Sequence, residues 1–199
     1  MIVLLDNGHG IDTAGKRSPD SRLREYAYAR EIVGRVHAGL SKLLGTENVR
    51  ILTPEQTDIS LKERCKRANG VCRAYGTKNV LLVSVHNNAA GADGKWHEAR
   101  GWSAHVSLNA SVNSKTLARR LIESAEGNGL KVRKYSHQVP YVEQNLAICR
   151  DTICPAVLTE NLFQDNKEDV NFLLSEKGKE AITKVHVEGI MSYIKKSSE

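Results

Sequence analysis

The sequence predicts a single-domain α/β fold, a mostly parallel twisted sheet with helices on both faces. Short apolar runs at 2–5, 79–85 and 155–159 read as strands covered on both sides. Between them, apolar residues recur at helical spacing, and strands alternating with helices pack as an α/β sandwich. The length of 199 residues suits one ordinary domain.

Taken in order, Ile2-Val3-Leu4-Leu5 is a first strand, cut off by Asp6. Ile32, Val33, Val36, Leu40, Leu43 and Leu44 form the apolar stripe of a first helix, which Glu25 opens. Leu61, Cys65, Ala68 and Cys72 give a second helical stripe, followed by the strand Val80-Leu81-Leu82-Val83-Ser84-Val85. Between 101 and 108, Trp102, Ala104, Val106 and Leu108 alternate with polar residues, which predicts a half-exposed strand. Leu117, Leu121 and Ala125 mark a third helix, and Pro155-Ala156-Val157-Leu158 a further strand. Ala181, Ile182, Val185, Ile190 and Ile194 mark the last helix, whose tail from Lys195 to Glu199 is expected to fray. No repeat, low-complexity tract or proline-rich linker interrupts this order.

Composition excludes several classes. Apolar residues at 40% and charged residues at 26% are ordinary globular values, not those of a disordered or collagen-like chain. No stretch approaches the roughly 18–20 apolar residues of a membrane span. The apolar start has no basic flank of the signal-peptide kind, so the expectation is a protein that stays inside, leaves by another route, or is a trimmed secreted chain. The net charge of +6 favours an anionic partner: nucleic acid, a membrane surface or an anionic wall polymer. With aromatics at only 5% and no basic run interleaved with them, no nucleic-acid partner is expected.

The cysteines stand at 65, 72, 149 and 154. Cys65 and Cys72 lie two helical turns apart, a rise of about 10 Å that no disulfide spans. Both are expected to be packing residues. Cys149 and Cys154 could meet across a turn or stay reduced, and no C-x-x-C pair supports a zinc ribbon or a thioredoxin-type site.

Three segments join a buried strand to polar residues at its carboxyl end, where open α/β sheets place their sites. These are Asp6-Asn7-Gly8-His9-Gly10, His86-Asn87-Asn88 and Thr159-Glu160-Asn161. A histidine after a strand is more often a cap or a surface residue, and a glutamate there is usually solvated. Three such coincidences allow a shared cleft without requiring one. Glu25, in a helical first turn, is accounted for by the helix dipole alone. Joined to two histidines, it would complete a common three-ligand zinc set with an open fourth position.

These segments, with Leu23-Arg24-Glu25, Ser84-Val85-His86-Asn87-Asn88-Ala89 and Pro155 to Phe163, resemble the four ordered motifs of zinc-dependent N-acetylmuramoyl-L-alanine amidases of the autolysin and phage endolysin type. The resemblance continues through Asn166 to Asp169, Phe172-Leu173-Leu174 and the final helix, and is weakest over 90–150. It implies one catalytic domain over 1–199 with no separate wall-binding domain, and zinc held by His9, Glu25 and His86. It also implies Glu160 as catalytic carboxylate, peptidoglycan as substrate and action at the bacterial wall. The protein would then be cytoplasmic until released, or secreted and trimmed. Asn7, the segment Lys16-Arg17-Ser18-Pro19-Asp20 and Asn161 depart from the family pattern. Two other readings stand beside it: a zinc peptidase cutting within the stem peptide, and a non-catalytic wall-binding or regulatory module.

The remaining candidates carry less. His37 and His186 fall within helical patterns, His105 is expected to alternate outward, and His97 has no partner histidine four residues on. His137 sits in a polar loop from which it could contact substrate. Gly101-Trp102-Ser103-Ala104-His105 does not match a nucleophile elbow. The basic groups Lys16-Arg17, Arg22 and Arg24, Arg119-Arg120, and Lys131, Arg133 and Lys134 read as solvated surface, or as a cationic face that speeds encounter with anionic walls.

Overall fold

The protein is described by a computed structural model covering residues 1–133 and 138–196. Strands β1 (Ile2–Asn7), β2 (Val49–Ile51), β3 (Val80–Asn88), β4 (Ser103–Val106), β5 (Val142–Glu143) and β6 (Ala156–Phe163) form one sheet. Helices are α1 (Glu25–Leu44), α2 (Leu61–Tyr75), α3 (Val112–Gly127), α4 (Ala147–Arg150), α5 (Lys167–Leu174) and α6 (Glu176–Lys196). The strand order is β2-β1-β3-β6-β4-β5. β2, β1, β3 and β6 run parallel, whereas β4 is antiparallel to β6 and parallel to β5. The expected α/β class with a mostly parallel sheet is what the chain adopts.

Side-chain alternation along the central strands divides the interior into two layers. Val3 and Leu5 of β1 and Leu81, Val83 and Val85 of β3 face one way, into a cluster closed by α1, α3 and α6. Ile2, Leu4, Leu82, Ala156 and Leu158 face the other way, under Cys65, Ala68 and Cys72 of α2 and Ile148 and Cys149 of α4. On this second face the same parity continues toward the strand ends as Asp6, Ser84, His86 and Glu160. These polar side chains, with Leu158, line a cleft beyond the apolar layer, and α2 and α4 form its walls.

Several expectations need correcting. The strand at 101–108 is shorter than its alternating pattern and is not half-exposed: Ser103 and His105 are buried like Ala104 and Val106. The reason is the chain from Gln144 to Cys149, which meets β4 at His105. His105 therefore points inward, where Nδ1 lies 3.0 Å from Gln144 Oε1 and Nε2 lies 3.0 Å from Ser103 Oγ. Strands β3 and β6 run past Val85 and Leu158, so His86 and Glu160 sit within strands. The short strands β2 and β5 and helices α4 and α5 left no periodic signal long enough to read. All the cysteines are free and buried, and burial pushes the Cys149 thiol up to about 12. His37 Nε2 contacts the Val49 carbonyl, and His186 is buried against Thr159 and Ile182, each in a packing role. His137 and Lys134 lie outside the described residues, as do residues 197–199 of the tail.

Candidate metal centre

Three elements converge at the carboxyl edge of the sheet. His9 follows β1, Glu25 is the first residue of α1, and His86 lies near the end of β3. Glu25 Oε1 lies 3.0 Å from His86 Nδ1 and 3.3 Å from His9 Nε2. One ligand atom from each of the three residues lies within 4.8 Å of the others, and the two imidazole rings meet edge-on at 5.0 Å. The spacing suits a single small cation.

Each donor is held by the backbone around it. Glu25 Oε1 also accepts the Asn87 N–H, and Oε2 accepts from Gln164 Nε2 at 3.2 Å. His9 is itself left-handed, with φ 61°, an unfavourable region for a side-chain-bearing residue. Its carbonyl accepts from Arg30 Nη1 at 3.0 Å, with Arg64 Nη2 at 3.5 Å. The flanking glycines leave room for their neighbours. A Cβ on Gly8 would stand 2.3 Å from His86 Cε1, and one on Gly10 would stand 2.0 Å from the Asp58 backbone nitrogen. Arg64 is buried and anchors this loop through Asp6 Oδ1 at 2.7 Å and the Asn7 carbonyl at 2.6 Å.

Asn161, flagged by its departure from the family pattern, turns away from the cleft. Its Oδ1 accepts from Trp102 Nε1 at 2.7 Å, and its Nδ2 donates to the His86 carbonyl at 2.9 Å. Asn87 Nδ2 donates back to the Asn161 carbonyl, and the β3–β6 register shifts between His86 and Asn88. These bonds lie at the bulge beside His86, and none of them involves the Glu160 carboxyl. The sequence did not reveal the supporting roles of Arg30, Arg64, Asn161 and Gln164, because each partner is remote in the chain.

Electrostatics fit a cation. Burial raises the cost of a charge on Glu25, yet hydrogen bonds and charge from His86 and His9 outweigh it and hold its carboxyl far below the usual range. Burial disfavours charge on His86 as well, but the Glu25 carboxylate wins and raises it. The Glu25 carboxylate thus favours positive charge on its His86 side, which a cation would also supply.

Glu160 pairs with His86 across β3 and β6. Both line a cleft of about 390 Å³ with His9, Lys16, Ser84, Arg64 and apolar Leu146, Ile148 and Leu158. Desolvation raises the Glu160 carboxyl to about 7, Glu25 adds to the rise, and His86 and Lys16 oppose it. Its Oε2 is buried with no hydrogen-bond partner. An acid that changes charge near neutrality beside a cation site is equipped to move a proton.

Such a sheet, with two imidazoles and a carboxylate gathered at its edge and a second carboxylate alongside, defines an α/β protein with a candidate three-ligand metal centre. The chain belongs to the N-acetylmuramoyl-L-alanine amidase family, which it matches over residues 3–192. It is 28% identical over 191 residues to the endolysin of Bacillus phage SPP1, covering 95% of this chain and 64% of the phage protein. It is 27% identical over 192 residues to the N-acetylmuramoyl-L-alanine amidase CwlM of Bacillus licheniformis, covering 94% of this chain and 66% of that protein. The chain thus spans about two thirds of these relatives. Among solved structures it is similar to the N-acetylmuramoyl-L-alanine amidase of Clostridium difficile 630, with TM-score 0.81 and 26% identity over 98% of this chain and 96% of that one. The catalytic domain of CwlV from Bacillus (Paenibacillus) polymyxa var. colistinus, at TM-score 0.80 and 22% identity over 98% of each chain, shares the fold. Among the described residues, no helix is long and apolar enough to cross a membrane.

Proposed function

We propose that this chain hydrolyses the amide joining N-acetylmuramic acid to L-alanine in peptidoglycan, with zinc held by His9, Glu25 and His86 and with Glu160 as proton carrier. The carrying observation is the placement of half-buried Glu160, its Oε2 enclosed and unpartnered, in the cleft that His9 and His86 also line. His86 and Glu160 lie in one sheet, His9 directly follows its strand β1, and Glu25 opens the helix that covers it, so we assign the site to a single catalytic domain acting at the wall.

When bound, zinc supplies Lewis acidity toward the scissile carbonyl and lowers the pKa of water. His9, Glu25 and His86 hold the ion, and Gln164 and the Asn87 N–H fix the Glu25 carboxylate that faces both imidazoles. Glu160 accepts the proton of the attacking water and passes it to the departing alanine nitrogen. Its burial makes the carboxylate a stronger base than a solvated glutamate. The apolar walls at Leu146, Ile148 and Leu158 limit water around this transfer.

The test is a Glu160→Gln protein checked for zinc content and for release of free N-terminal L-alanine from muropeptides by mass spectrometry. Turnover should fall by about 10²–10⁴-fold, the usual contribution of a general acid–base group, with zinc stoichiometry unchanged. Wild-type turnover at full zinc occupancy would remove Glu160 from this role. Cleavage inside the stem peptide, without free N-terminal alanine, would favour a peptidase instead.

A further inference from the structure

Strand β4 places a buried polar chain beside Glu160 that the reaction described above leaves unused. Ser103 lies directly opposite Glu160 across the β4–β6 pairing, and His105 lies opposite Leu158. Directly opposed residues share a face of the sheet, with Cβ atoms about 4.5–5.5 Å apart, so Ser103 flanks Glu160 on one side. His86 flanks it on the other, in β3.

Ser103 is 1% exposed, and its Oγ lies 3.0 Å from His105 Nε2. On the far side of the ring, Nδ1 lies 3.0 Å from Gln144 Oε1, and the His105 carbonyl accepts from Cys149 Sγ at 3.8 Å. Burial disfavours a charge on this imidazole, and the neutral ring keeps one N–H and one bare nitrogen, enough for both side-chain contacts. The chain from Gln144 through His105 to Ser103 thus enters the face of the sheet that Ile148, Cys149 and Leu158 otherwise make apolar. Apolar side chains at 103 and 105 would fill that space without the desolvation cost of buried polar groups, so packing alone does not account for them.

Glu160 has the matching deficit. Its Oε2 is enclosed and has no hydrogen-bond partner among the described residues. Of the two residues that flank it in the sheet, His86 turns its Nδ1 to Glu25 at 3.0 Å. A serine hydroxyl has one donor and two acceptor sites, and the contact with His105 occupies one of them. That leaves Ser103 with capacity to spare next to an oxygen that lacks a partner.

Resting on the amidase reading, we propose that Ser103 and His105 are positioning residues for Glu160. The Ser103 hydroxyl, oriented by His105, bonds Oε2 during turnover and keeps the other carboxyl oxygen aimed at the attacking water and the departing nitrogen. A hydroxyl can donate to Oε2 or accept from it, so the contact persists whether Glu160 is ionised or protonated. Neither residue touches the substrate; both act through the carboxyl.

The test is a double-mutant cycle on the zinc-loaded protein, read as release of free N-terminal L-alanine from a soluble muropeptide. Ser103→Ala should lower kcat by about tenfold, the worth of one hydrogen bond, with KM and zinc stoichiometry unchanged. In a Glu160→Gln background the same substitution should change kcat by no more than about twofold, because its effect runs through the carboxylate. His105→Phe should reproduce Ser103→Ala, and the two combined should cost no more than either alone. If Ser103→Ala does not fold, Ser103→Cys keeps the side-chain shape with a much weaker donor and should give the same fall. Wild-type kcat in the folded Ser103 variant, a fall that tracks lost zinc, or a fall that persists undiminished in the Glu160→Gln background would overturn the positioning role while leaving amide cleavage standing. Failure of the wild type to release N-terminal alanine would overturn the amidase reading and the positioning role with it.

Discussion

At the centre, individual side chains answer to atoms a few ångströms away. Gly8 has no side chain because the His86 ring occupies that space. Gly8→Ala should push the ring from its place and weaken metal affinity by about 10–100-fold, the usual cost of disturbing a group that orients a ligand. Titration with zinc under competition from a chelator would measure it, and unchanged affinity would count against the stated packing. Glu160 gives a pH signature in the metal-free protein. Its folded carboxyl keeps its proton up to about pH 7, whereas an unfolded glutamate releases it near 4.5. Relative to Glu160→Gln, the wild type therefore loses stability as pH rises from 4.5 through 7. By pH 8 the variant should be the more stable by about 3 kcal/mol relative to their difference at pH 4. Urea denaturation of chelator-treated proteins across this range tests it; a difference independent of pH would show that Glu160 titrates normally.

At the scale of elements, buried and exposed ion pairs carry different weight. Arg64, on α2, bonds Asp6 at the end of β1 with both side chains almost wholly enclosed. Removing the guanidinium in Arg64→Ala leaves a buried carboxylate uncompensated and should cost about 3–5 kcal/mol in denaturant unfolding. Breaking the exposed Arg35–Glu31 pair on α1 should cost no more than about 0.5 kcal/mol. Neither effect is legible in the sequence, where Arg64 is one polar residue on an amphipathic helix. The central strands and long helices were legible, because their apolar runs and 3.6-residue stripes are the direct cause of their burial. β4 was misjudged because alternation reports a possible exposed face, while Gln144 and Cys149, remote in the chain, meet His105 there. The three donors were legible only as strand-end and helix-start residues; the ordered motifs, not periodicity, joined them. Their supports, Arg30, Gln164 and Asn161, depend on pairings over long sequence separations that no local pattern records.

Across the whole molecule, a metal held as proposed by His9, Glu25 and His86 would tie β1, α1 and β3 together, and β3 is hydrogen-bonded in turn to β6. Cation binding should therefore stabilise the complete sheet as one unit. At zinc concentrations 100-fold above Kd, unfolding free energy should rise by about 2.7 kcal/mol, with a single calorimetric transition in both forms. Two separated transitions in the metal-free protein would contradict that unity. The left-handed turn at His9 is held from both faces of that sheet. Arginine side chains of α1 and α2 grip its carbonyl, one helix packing on each side of β1. The awkward bend is thus stapled across the two layers of the molecule.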